Sequence, residues 1–125
     1  MPSKHEFITF LLELLEPLGS VEAKSMFGGF GIYRQGLMFG LVSQDTFFLK
    51  TDDKNRADFE GKGLRPFTYL RKGKEFSMSY HQAPPEAMDD AEVLCEWAQK
   101  AYDAALRAAQ NKSKQKRWQA LEGMD

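Results

Sequence analysis

A chain of 125 residues that is 42% hydrophobic and 13% aromatic can build one domain with a real core, and ten Phe, four Tyr and two Trp exclude a disordered polymer. A formal net charge of −1 excludes the strongly basic surface that indiscriminate DNA binding requires. The single cysteine, Cys95, excludes an internal disulfide and a cysteine-based zinc site, and fits a reducing, cytoplasmic setting.

No charged-then-apolar leader opens the chain and no apolar run is long enough to span a bilayer, so no membrane partner is expected. From Ser3 to about Leu15, Phe7, Phe10, Leu11, Leu14 and Leu15 recur at helical spacing, with Ser3 and Glu6 as a capping pair. Pro17, Gly19 and Ser20 end that helix. Short β-like runs follow at Val21 to Phe27, Phe30 to Arg34, Leu37 to Val42 and Phe47 to Thr51. With turns at Gln35-Gly36 and Ser43-Gln44-Asp45, they predict a three-stranded meander, and Gly28-Gly29-Phe30-Gly31 reads as a bend or bulge in its first turn region.

Asp52-Asp53 can cap a short helix over about Lys54 to Phe59, closed by Gly61. Phe67 to Arg71 and Glu75 to Tyr80 flank Lys72-Gly73-Lys74 as a second hairpin, with Phe67 and Tyr69 on one face and Phe76, Met78 and Tyr80 on one face. Ala83-Pro84-Pro85 stops the sheet. Asp89 with Glu92 three later starts a long helix, whose apolar face carries Val93, Leu94, Trp97, Ala101, Tyr102, Ala105 and Leu106 to about Gln110. The order predicts an α+β fold: a two-layer α/β sandwich running helix, three strands, short helix, two strands, helix, with the helices on one side of a five-stranded antiparallel sheet. Residues 1–110 form the expected domain, and 111–125 a flexible basic tail.

No constellation reads as catalytic. The glycines at 28, 29 and 31 lack the spacing and the Lys-Ser or Lys-Thr of a phosphate loop; they fit positive φ or close approach beneath Phe27 and Phe30. His5 and His81 have no ligand-spaced partners. Ser77, Ser79 and His81 alternate on one strand face without a nucleophile elbow, and read as a solvated polar face. Cys95 lies among Glu92, Glu96 and Gln99, an inert setting; Glu86, Asp89 and Asp90 suit helix capping rather than proton transfer. Catalytic residues, metal ligands and cofactors are therefore not expected. Lys112, Lys114, Lys116 and Arg117, with Trp118, form a basic run able to touch phosphate or an acidic protein surface, which keeps a nucleic-acid-associated accessory role as the alternative.

The run Lys24-Ser25-Met26-Phe27-Gly28-Gly29-Phe30-Gly31-Ile32-Tyr33, then Gly36 to Val42, Phe48 to Asp52, Phe59, Pro66-Phe67-Thr68-Tyr69, Lys72-Gly73-Lys74 and Met78-Ser79-Tyr80, resembles the N-terminal domain of the TfoX/Sxy competence regulators. The resemblance covers about residues 5 to 110, closing helix included. It implies a two-layer fold like that of secretion chaperones, no agreed catalytic set, and transcription regulators that act with the cyclic-AMP receptor protein. Those regulators carry a second, C-terminal helical domain, which the residues after Gln110 are too few to build. The reading that follows is a non-enzymatic regulatory or protein-interaction module, able to dimerise, whose candidate surface comprises Met26, Phe27, Phe30, Tyr33 and Tyr69.

Overall fold

The first helix, α1 (Lys4–Leu14), hands its apolar stripe to a sheet. This computed structural model describes residues 4–26 and 28–122, with side chains from His5 to Lys112 apart from Phe27. Ile8, Leu11 and Leu15 are buried at spacings of three and four, the period of one helix face. Phe10, expected on that face, is 44% exposed, because Ile8 occupies the turn below Leu11 and leaves Phe10 on the outer side. Ser3, the expected cap, lies outside the described residues.

A single 3₁₀ turn (Glu16–Leu18) leads into four strands in series, β1 (Val21–Met26), β2 (Gly29–Arg34), β3 (Leu37–Ser43) and β4 (Thr46–Lys50). After the short α2 (Arg56–Glu60), the hairpin β5 (Pro66–Arg71) and β6 (Lys74–Gln82) completes the sheet. It has six strands rather than the expected five, in the order β1-β2-β3-β4-β6-β5, every neighbour antiparallel. The extra strand is β1. It pairs along its whole length with β2, from Val21↔Arg34 to Met26↔Gly29, so the glycine segment is a hairpin turn and not a bend. Gly28, at φ +80°, adopts the left-handed backbone that reversal needs.

Two irregularities bend the sheet. Phe39 is surplus on β3, where the register slips between Ile32↔Gly40 and Tyr33↔Met38, and β6 carries surplus residues where Pro66↔His81 gives way to Thr68↔Ser77.

All three helices lie on one side. Between the sheet and the helices sit Ile32, Phe39, Phe47, Leu49, Phe59 and Leu94, each at most 2% exposed, with Ala98 and Ala101 letting the last helix approach closely. That helix, α3 (Ala91–Glu122), starts after a 3₁₀ turn (Pro85–Asp89) and runs past the expected stop at Gln110. Asp90 is its cap, Oδ1 accepting from the amides of Glu92 at 3.0 Å and Val93 at 3.2 Å.

A candidate interaction face on the open side of the sheet

Strand alternation gives the sheet a second face that none of the described helices covers. On β1 to β3 this open face is organised around Gly31. A Cβ there would lie 2.8 Å from Tyr33 Cε1, 3.2 Å from Met26 Sδ and 3.3 Å from Met38 Sδ, so three side chains close over a position that glycine alone leaves free. Lys24 caps the group, with Nζ 4.8 Å from the Tyr33 ring centroid. On the other half the rings form a ladder across three strands: Phe48 to Phe67 at 5.0 Å, Phe67 to Tyr69 at 6.3 Å and Tyr69 to Phe76 at 5.8 Å.

Between these halves runs an open trough of about 1120 Å³, floored by Met26, Leu41, Phe48, Phe67, Tyr69 and Met78 and bordered by Arg65 and Arg71. The projecting β5–β6 hairpin leaves Tyr69, Leu70, Phe76 and Met78 between 38% and 75% exposed, a contiguous apolar surface of the kind that marks binding sites.

The expected surface residues divide. Met26, Tyr33 and Tyr69 share the open face. Phe30 points to the helix side, where it packs against the core and meets the His5 ring edge-on at 6.3 Å, touching the trough only at its end. Phe27 lies outside the described residues. Lys112 is exposed on α3, and the side chains of Lys114, Lys116 and Arg117 lie outside the described residues. The sequence reading did not place Leu41 and Phe48 on this face. Their period-two spacing was visible, but the pairing Phe48↔Gln82 that joins β4 to the second hairpin spans a long insertion and has no local signal.

The titratable groups are held in structural roles. His81 is buried rather than part of a solvated face. Its Nδ1 lies 3.0 Å from Thr51 Oγ1 and its ring 5.9 Å from Phe59, and burial lowers its pKa, opposed by Glu60 and assisted by Arg56. Ser77 and Ser79 stay exposed. The Cys95 thiol donates to the Leu14 carbonyl at 3.4 Å, and burial, rather than its acidic neighbours, raises its pKa. Asp52 makes two bonds to Arg107, at 2.6 Å and 3.0 Å, which hold its carboxyl at about 2. Glu86 pairs with Lys62 at 2.9 Å. Among the described residues no group of three or more His, Cys, Asp or Glu could hold a metal ion, and no helix is long and apolar enough to cross a membrane.

Fold and face together define an antiparallel α+β domain with one helix-covered and one open, aromatic side. The chain belongs to the TfoX N-terminal domain family, whose model matches residues 13–105, from the end of α1 through the whole sheet and into α3. It is 29% identical over 66 residues to DNA transformation protein TfoX1 of Aliivibrio fischeri, a match covering 53% of this chain and 32% of that protein. The match thus spans about a third of the relative's length.

Proposed function

We propose that this chain is a non-enzymatic regulatory module that acts by binding another protein through the open face of its sheet. The observation that carries this reading is the trough: a contiguous apolar floor, exposed to solvent, on the face opposite the described helices. Asp52, His81 and Cys95, which titrate away from their ordinary values, sit in an ion pair and in packed positions on the helix side, which suits a binding role better than acid–base chemistry. The relative's name, DNA transformation protein, supports a place in DNA transformation, and the cyclic-AMP receptor protein, implied by the resemblance to the competence regulators, is the first partner to test.

The test is affinity capture from host lysate with nuclease present, comparing the wild-type chain with Met78→Asp and Met26→Asp. A defined protein held by the wild type and lost by both variants, whose circular-dichroism melts stay within a few degrees of wild type, is the expected result. Capture that depends on nucleic acid, or that both variants retain, refutes the reading.

A further inference from the structure

The charges around the trough identify the chemistry of what it binds. The ion pairs among the described residues, Arg56–Asp53, Lys62–Glu86, Lys100–Asp58 and Arg107–Asp52, all lie in the helices and the segments leading into them. At the trough, Arg65 and Arg71 on its border and Lys74 opposite Arg71 in register have no acid within ion-pair distance among the described residues. Residues 65–82 hold Arg65, Arg71, Lys72 and Lys74 against the single acid Glu75, in a chain whose net charge is −1. Among the described residues, the charges lining the apolar floor are therefore two arginines without an ion-pair partner and the single acid Glu75, with Lys74 beside Arg71, an excess of positive charge complementary to a ligand that is apolar on one side and acidic on the other.

Backbone chemistry narrows the ligand further. Away from the outer edge of β5, the floor is the face of a sheet whose amides and carbonyls are engaged in the ladder, so there it offers side chains rather than backbone hydrogen bonds. An extended peptide laid there would leave its own backbone groups unpaired, whereas a helix satisfies them internally. Flexible thioethers at Met26 and Met78 suit the irregular surface of a helix. A single-stranded nucleic acid fits less well, because Phe67, Tyr69 and Phe76 stack on one another with interplanar angles of 24° rather than standing apart to receive bases.

Resting on the protein-binding reading above, we propose that the trough takes an acidic amphipathic helix of a partner protein, its apolar stripe on Met26, Phe48, Tyr69 and Met78 and its carboxylates on Arg65, Arg71 and Lys74. Six strands at about 4.8 Å spacing span about 24 Å, which at about 1.5 Å per residue is a helix of about sixteen residues.

The experiment is a fluorescence-anisotropy titration of the full chain. Its probes are a labelled Leu/Glu amphipathic peptide of about sixteen residues, its Leu/Lys counterpart and a labelled oligothymidylate. The acidic peptide is expected to bind, to weaken at least about tenfold in Arg65→Glu/Arg71→Glu, a pair of exposed positions that leaves the core intact, and to weaken as salt rises; the basic peptide is expected not to bind. No binding of the acidic peptide, equal binding of both peptides, or binding indifferent to the charge reversal overturns the proposal. Preferential binding of oligothymidylate overturns it in favour of nucleic acid, and a light-scattering dimer broken by Met78→Asp overturns it in favour of a second copy. If the acidic peptide fails while lysate capture still depends on Met78, the partner's chemistry is wrong and the interaction reading stands; if both fail, both fall.

Discussion

Asn55, only 5% exposed, ties three parts of the fold together with one side chain. Its Nδ2 donates to the carbonyls of Lys50 at 3.1 Å and Lys100 at 3.2 Å, and its Oδ1 accepts from the Asp52 amide at 2.8 Å. Removing it strands buried backbone groups, so Asn55→Ala is expected to cost about 2 kcal/mol, read as a lower urea midpoint at unchanged slope. Nothing in the sequence marks it, since an asparagine before a short helix reads as an ordinary turn residue until the α3 carbonyl beside it is seen. Cys95 is different: its place in the last helix reads as that of an unreactive thiol, and the structure half-buries it against α1, where burial rather than nearby acids raises its pKa. In native protein Cys95 should react with a thiol reagent far more slowly than in urea, and a native rate equal to the unfolded one would contradict the burial described. At Gly31, alanine should displace Tyr33 or the two methionines and reshape the open face, visible as shifted Tyr33 and methionine methyl resonances.

Among the elements, those with their own punctuation were readable. The second hairpin announced itself through Lys72-Gly73 at positive φ, and the last helix through an acid at its start and a stripe of Leu94, Ala101 and Tyr102. The sequence does not announce β1, a strand at the sheet's edge whose Glu22, Lys24 and Ser25 are exposed and whose remaining side chains are only partly covered, so that its pattern lacks a buried period. The run itself is visible in the sequence; its status as a sixth strand depends on a tight turn at Gly28, which the glycine pattern alone presents as a bend. The cap of α3 also sits one residue later than expected, on Asp90. Asp90→Ala should lower stability by about 1 kcal/mol, while Asp89→Ala, whose carboxylate is not the one bonded to the first turn, should change it little; a thermal melt of both variants distinguishes them.

For the whole molecule, acid should act in two windows. His81 has a folded pKa below its ordinary value of 6.5, so unfolding takes up a proton: its contribution is complete above that value and falls as pH drops toward the folded pKa. Asp52, held at about 2 against an ordinary 3.8, has the same sign, and its contribution is complete above about 4 and is lost between there and about 2. Urea titrations across pH should show both declines. Arg107→Gln should flatten the lower one and leave the upper, whereas a lower window that survives that change would mean the Asp52 pair is not its source.

The packing of α3 against β3, β4 and α1 also orders events during synthesis. The pairings among β1 to β4 join only sequence neighbours, so the meander can form as it leaves the ribosome, with the outer edge of β4 open until β6 arrives. Its inner side, with Ile32, Phe39 and Leu49, has α1 but not α3 to cover it until Leu94, Ala98 and Ala101 arrive roughly fifty residues later. During that interval both sides of the nascent sheet are greasy, one briefly and one permanently, and a chaperone that grips the first must release it when α3 emerges.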